Sequence, residues 1–323
     1  MKFHQLDIFY AVAERQSITA AACDLHLSQP AVSLQVKGLE KELGVTLFER
    51  GGQRLRLTQA GEALYRCAVS IFHAKDEAER AIEELREGRS GKLILGSNTT
   101  GGMYLLPRVV RAFLEQYPDN EVVFRIDSTE WVCDNILQNV IDMALVGGPI
   151  EDRRFGVERV CIDRLALIVS PSHPFAQMRV LSPKDLENRP CIAPLQNSRT
   201  RRWVERKLRE VGAGLSIALE LSGTEAVKKA VEANLGFAIV SSFAVQSSDA
   251  LKVVPLRGVD FSRHMELVYR RQKYFSPVAR RFQEFIHSYA EQHLRGAARD
   301  RAASDDSANR ARRRGSNRGA REE

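Results

Sequence analysis

Cysteine is scarce in this sequence and never paired. The five cysteines among 323 residues (Cys23, Cys67, Cys133, Cys161 and Cys191) form no C-x-x-C pair and no zinc-ligand pattern with the histidines. A disulfide framework or zinc site is therefore not expected, and reduced thiols are. No apolar run approaches the ~20 residues that span a bilayer. The opening Met1-Lys2-Phe3-His4-Gln5-Leu6-Asp7 turns polar before a signal-peptide apolar region can form. These absences predict a cytoplasmic protein without a membrane partner. Enzyme signatures are missing too: there is no G-x-S-x-G elbow, Walker loop, G-x-G-x-x-G or H-E-x-x-H. His26, His173 and His264 stand apart from paired carboxylates, so catalysis, a metal and a cofactor are not expected.

What is present is an ordinary balance of 44% hydrophobic and 28% charged residues, in a chain long enough for two or three domains. Lys and Arg number 48 against 41 Asp and Glu, a net charge of +7. That total is a weak pointer to a polyanion, because its distribution runs the wrong way. Residues 1–90 hold 12 basic and 13 acidic side chains, whereas 296–323 hold 8 and 5.

The pattern divides the chain into 1–58 (short helices), 59–89 (one long helix), 90–295 (alternating strands and helices) and 296–323. The last is Arg-rich and lacks apolar periodicity, so disorder is expected there. Within 90–295, strands are read at Leu93–Leu95, Glu121–Ile126, Asp142–Val146, Leu165–Ser170, Ser216–Leu221 and Phe237–Ser241. Helices are read near Met103–Gln116 and Glu130–Asn139, from Thr200, at Thr224–Asn234 and from Pro277. This alternation predicts parallel α/β sheets in two lobes. The expected boundaries are 90–162 with 268–295 for lobe I and 163–267 for lobe II.

In the first region Leu6, Phe9, Tyr10 and Ala13 form a helical stripe. Ser17 is a good cap for a second helix containing Ala20-Ala21-Ala22, and Ser28 for a third with Pro30 in its first turn. The third helix would bury Val32, Val36, Leu39 and Leu43 while presenting Gln29, Ser33 and Lys37. Joined through Leu25-His26-Leu27, the second and third helices make a helix-turn-helix whose polar stripe suits a major groove. The plain alternative for that stripe is a solvated helix face. Leu47–Leu57 adds a hairpin with a Gly51-Gly52 turn and three arginines, Arg50, Arg54 and Arg56. Such a basic wing places Arg54 to enter a minor groove.

The string Ser28-Gln29-Pro30-Ala31-Val32-Ser33, followed by Leu39-Glu40-x-x-Leu43-Gly44 and Leu47-Phe48-x-Arg50, resembles the LysR-type transcriptional regulators. The resemblance extends over residues 3–295. It implies that Gln29, Pro30, Ser33, Gln35 and Lys37 face DNA, with Arg50 and Arg54 adding backbone and minor-groove contacts. Many members carry Arg where this chain has Leu34, whose apolar side chain could instead meet a thymine methyl. It further implies a tetramer that bends promoter DNA and alters access for RNA polymerase.

Leu64, Ala68, Ile71, Lys75, Ala78, Ile82 and Leu85 follow a 4, 3, 4, 3 spacing, a heptad seam that calls for a second chain. The fold class expected is thus α+β multidomain. It comprises a winged helix-turn-helix, a long dimerisation helix and a two-lobed effector domain resembling periplasmic binding proteins.

Helix N-termini attract anions through free N–H groups. The candidate termini are Ser97-Asn98-Thr99-Thr100, Ser128-Thr129, Ser198-Arg199-Thr200 and Thr224, with Gly147 in a flexible crossover at Val146–Pro149. Several of these hydroxyls can serve merely as caps. The resemblance places small molecules at Thr100 and at the Ser198/Thr200 loop, where Arg199 stands in place of a glycine of the family pattern. An organic acid or inorganic oxyanion is the expected effector. The alternative, a solute-binding-like protein without a transcriptional role, rests on the α/β lobes alone.

Overall fold

The computed structural model describes residues 1–49, 55–87, 91–246 and 249–294. Two compact units result: Met1–Arg86 with Asp134–Val140, and 87–133 with the described residues from 141 onward.

The first unit opens with α1 (Phe3–Arg15), α2 (Ile18–Asp24) and α3 (Gln29–Leu43). Ser17 and Ser28 accept from the amides of Ala20 and Ala31, satisfying donors that a helix start leaves orphaned. Leu6, Ile8, Phe9, Val12, Ala21, Ala22, Val32, Val36 and Leu39 form one buried cluster. Each large apolar side chain buried there contributes about 1.5–3 kcal/mol. Leu43, expected on the buried face, is 39% exposed because α3 ends at that residue before the left-handed Gly44.

α4 (Gln59–Glu87) follows, and it corrects the seam. Ala68 and Phe72 are buried in the same cluster as α1, and Leu64 packs against it. Phe72 lies 4.9 Å from the Tyr10 ring and 5.2 Å from that of Phe3. The leading part of the stripe is thus covered within the chain, whereas Ile71 and Ile82 are 39% and 60% exposed. Lys75 and Ala78 between them are exposed as well. The Leu85 side chain lies outside those described.

The second unit is built on β1 (Lys92–Ser97), β2 (Glu121–Ile126), β3 (Met143–Gly147), β4 (Phe155–Val169), β7 (Ala238–Ser241), β8 (Lys252–Val254) and β9 (Ser262–Arg270) in one seven-stranded sheet. Strands β5 (Pro190–Pro194) and β6 (Ser216–Leu221) pair separately. The helices are α5 (Leu106–Gln116), α6 (Thr129–Leu137, grouped with this unit up to Cys133), α7 (Arg199–Glu210), α8 (Thr224–Glu232) and α9 (Pro277–Tyr289).

The large sheet is mixed, not parallel as expected. β1 runs parallel to β2 and β3, but β9 is antiparallel to β3 and to β4. β4 pairs with β9 over Phe155–Arg164 and then with β7 over Leu165–Ile168. One core gathers Leu93, Phe113, Met143, Leu267 and Phe282, and a second gathers Leu167, Phe175, Leu186, Val204 and Phe237. Two lobes therefore share β4 and β9 as their crossing strands. The crossover expected at Val146–Pro149 is instead the end of β3 and a cis Gly148–Pro149 bond.

Candidate DNA-binding surface and effector site

The chain turns between α2 and α3 at His26, whose φ of 53° is left-handed, and the Leu27 amide bonds back to Ala22 at 2.9 Å. This fixes α3 against α1 and α2 by the face carrying Val32, Val36 and Leu39. Ser28, Gln29, Pro30 and Lys37 are exposed, Ser33 and Gln35 are half-buried, and Leu34 is 69% exposed. Exposed leucine at this level, beside polar side chains that can donate and accept, is a surface fitted to base edges and methyl groups. Phe48 and Leu57 form an antiparallel bridge, and the Glu49 amide donates to the Arg56 carbonyl at 2.9 Å. That is the base of the expected hairpin, with Arg56 exposed on it. Arg50 and Arg54 lie outside the described residues.

In the second unit, several expected ligand hydroxyls are occupied as structure. Ser97 is fully buried and donates to the Leu145 carbonyl at 2.5 Å, tying β1 to β3. Asn98 accepts from the Gly101 amide, Ser128 from Trp131 and Ser198 from Arg201, each as a cap. Thr99 is half-buried. Thr100 and Thr129 differ from these: both are buried, at 5% and 4% exposure, and neither hydroxyl bonds to another described residue. The helix after Thr100 opens with a wide π turn over Gly101–Leu105, a feature common beside functional sites. A Cβ at Gly101 would come within 2.7 Å of the Leu145 carbonyl oxygen, so the turn packs onto β3 only because that residue is glycine.

The residue that composition and spacing did not single out is Arg263 on β9. Its side chain is only 2% exposed at the junction of the lobes. Nε donates to Asp163 Oδ2 at 2.9 Å and Nη1 to Thr200 Oγ1 at 3.0 Å. Nη2 lies 2.9 Å from Asp163 Oδ2 but off the donor direction, and its hydrogens have no acceptor. Asp163 is itself held by the Ser241 hydroxyl at 2.6 Å. A Cβ at Gly147 would sit 2.9 Å from Arg263 Cζ, so the end of β3 lies directly over the guanidinium. A buried donor without an acceptor normally costs about 1–3 kcal/mol. This donor lies beside the N-terminus of α7, whose Thr200 accepts from the same guanidinium.

Further charge lies across the same junction. Arg199 Nη2 donates to the Pro149 carbonyl at 2.6 Å, and its Nη1 is 3.9 Å from Glu130 Oε1. Arg202 bonds to the same Glu130 oxygen at 2.8 Å. At the start of α7, Arg199, Arg202 and Arg263 thus meet Glu130 and Asp163, while Arg201 is paired with Glu205 and Glu220.

At the start of α8, two carboxylates meet one lysine. Buried Lys228 is 3.0 Å from both Glu225 and Asp249, and the Tyr104 hydroxyl also donates to Glu225. Burial raises both carboxyl pKa values, but the hydrogen bonds and the lysine charge outweigh it and hold them below their ordinary values. Thr224 therefore stands beside a surplus of negative charge, which does not favour an anion. Cys161 and Cys191 are pushed up to about 12 by burial, leaving little thiolate at neutral pH.

Residues 3–62 match the bacterial regulatory helix-turn-helix proteins of the lysR family, and residues 86–291 match the LysR substrate binding domain. The chain belongs to the LysR family of transcriptional regulators. It is similar to a probable RuBisCO transcriptional regulator of Chlorokybus atmophyticus, with 38% identity over 86% of this chain and 92% of that protein. Its fold is similar to full-length CbnR solved with its target DNA (TM-score 0.69, 24% identity, 89% and 99% coverage). It also resembles the regulatory domain of CcmR from Synechocystis PCC6803 solved with 2-PG (TM-score 0.59, 21% identity, 64% and 99% coverage). As a LysR-type regulator, the protein combines a DNA-binding domain with an effector-binding domain. Among the described residues, no helix is long and apolar enough to cross a membrane.

Proposed function

We propose that this LysR-type regulator reads promoter DNA with Gln29, Ser33, Leu34, Gln35 and Lys37, supported by Ser28, Pro30 and the wing arginines Arg50, Arg54 and Arg56. A small anion, an organic acid or inorganic oxyanion, bound between the lobes adjusts that binding. The buried, unsatisfied Nη2 of Arg263 carries the effector half of this reading, with Gly147 and Thr200 in contact with its guanidinium and Arg199, Thr100 and Thr129 as further candidates. The exposed Ile71, Lys75, Ala78 and Ile82 on α4 support a dimer, and two such dimers make a tetramer that bends two operator regions and changes access for RNA polymerase. The protein acts in the cytoplasm. Its likeness to probable RuBisCO transcriptional regulators supports RuBisCO genes as its targets.

The test couples two measurements. Small anions are screened by thermal shift on the full chain, and binding to the promoter upstream of the RuBisCO genes is then titrated with and without each hit. Linkage requires the anion to change DNA affinity by the same factor that DNA changes anion affinity. Thr100→Val should blunt the anion response and leave anion-free DNA binding intact. If DNA affinity fell in that variant without any anion present, Thr100 would be a structural cap.

A further inference from the structure

Arg199 and Arg263 both lie at the junction of the lobes against the end of β3: Arg199 bonds to Pro149, and Arg263 packs against Gly147. The Arg199 side chain is 34% exposed against 2% for Arg263, and Thr200, the acceptor for Arg263, is the chain neighbour of Arg199. Arg199 does not point away into water. It reaches from the start of α7 in one lobe to the Pro149 carbonyl at the end of β3 in the other, at 2.6 Å. Its second amino group is drawn toward Glu130, which Arg202 already holds at 2.8 Å. The guanidinium is planar and forked, so its bond to Pro149 is directed and charge-assisted, beside the Arg202–Glu130 pair that crosses the same junction. The Ile150 amide next to Pro149 donates to Glu266 Oε2 at 2.9 Å.

We propose that Arg199 is a size gate over the effector site: a compact oxyanion binds beneath it, whereas an anion with a tail must break the Arg199–Pro149 bond to enter. This rests on the reading of the Arg263 junction as the anion site. The compact ligand meets Arg263 Nη2 and the Thr100 hydroxyl with the gate in place. The extended ligand gains the same contacts but loses the bond between the lobes, so its affinity falls relative to the compact one. Arg202 shares Glu130 without touching Pro149 and is the internal control.

The experiment compares inorganic phosphate, phosphoglycolate and 3-phosphoglycerate by calorimetric titration of the full-length wild type, Arg199→Ala, Arg202→Ala and Thr100→Val. Arg199→Ala should raise the affinity for 3-phosphoglycerate relative to inorganic phosphate at least tenfold, and Arg202→Ala should leave that ratio unchanged. Binding of the tailed phosphates by Arg199→Ala alone would support the gate equally. An unchanged ratio, or an equal weakening of all three ligands, overturns it. In that case weaker binding by Thr100→Val would still leave the effector site standing. If neither wild type nor Arg199→Ala binds any of the three, the gate and the anion site fall together.

Discussion

Gly147→Ala tests the effector junction without touching a charge. The added methyl would lie 2.9 Å from Arg263 Cζ and 3.2 Å from its Nε and Nη1, where carbon atoms prefer about 3.5–4.0 Å. Something must yield by more than half an ångström on that scale. The guanidinium cannot swing into water, because its side chain is 2% exposed and is fastened to Asp163 and Thr200. Overpacking of this kind costs about 1–3 kcal/mol, and a guanidinium pushed off Thr200 would leave a second buried donor unpaired. For a domain of this size each kcal/mol lowers Tm by about 2–4 °C, so the effector domain should melt several degrees earlier. The anion response should weaken by about tenfold or more, the equivalent of ~1.4 kcal/mol. Anion-free operator affinity should change little. The assays are calorimetry and fluorescence anisotropy on the full chain. Gly214→Ala, where a Cβ would meet nothing within 4 Å, is the control and should shift neither. A Gly147→Ala protein with unaltered Tm and unaltered anion response would refute the packing of β3 over Arg263.

Three other outcomes are expected. Leu34→Ala removes a side chain that is 69% exposed, so Tm should hold while discrimination at a single thymine position drops by about 1–3 kcal/mol; an unchanged preference across a panel of operator variants removes Leu34 from base contact. Ile82→Glu places a charge on the uncovered part of α4 and should shift the chain toward monomer by sedimentation, with the helix-turn-helix still folded; an unaltered oligomer would mean that this stripe is not the seam. Glu158 is acidified: burial raises its pKa, but hydrogen bonds from Tyr269, His287 and Gln283 outweigh it and hold the group below its ordinary 4.5. A depressed carboxyl pKa stabilises above the unfolded value and loses that contribution as pH falls through the folded one. Wild type should therefore exceed Glu158→Gln in Tm at pH 7, with the gap narrowing below about pH 4.5; a gap constant down to pH 3 contradicts the assignment.

The helix-turn-helix was legible because its determinants are local. Ser28 as cap, Pro30 in the first turn and Val32, Val36 and Leu39 at helical spacing lie within twelve residues and act together. The α4 seam was legible only as a stripe. Periodicity states that Ala68 and Ile71 share a face, but not that α1 and Phe72 cover the first while the second is left exposed. β9 and the first half of β4 escaped the reading because crossing strands do not show apolar runs. Glu158, Arg159, Asp163 and Arg164 interrupt β4, and Arg263, His264 and Glu266 interrupt β9. Asp163 and Arg263 satisfy each other across a register that brings together residues 100 apart. Gly147, read as part of a flexible crossover, instead ends β3, where a Cβ would meet Arg263. Asn98, Ser128 and Ser198 show the limit of reading polar side chains from sequence, since a cap and a ligand use the same side chain in the same place.

The location of Arg263 also explains how an anion could act on the lobes and not simply sit between them. Asp163 and Arg164 are the last β4 residues paired with β9, and from Leu165 the strand pairs with β7. The Arg263–Asp163 pair therefore lies where the sheet passes from one lobe to the other. A ligand that satisfies Nη2 and engages the start of α7 favours whichever lobe arrangement holds Arg263, Thr200 and Thr100 at one anion's reach. It can shift the equilibrium only by its difference in affinity between arrangements. Couplings of about 1–3 kcal/mol are typical of such linked sites, comparable to the cost of the single buried donor that the anion would relieve. One guanidinium group at the crossing, left one acceptor short beside Asp163, is the feature the proposed anion would meet.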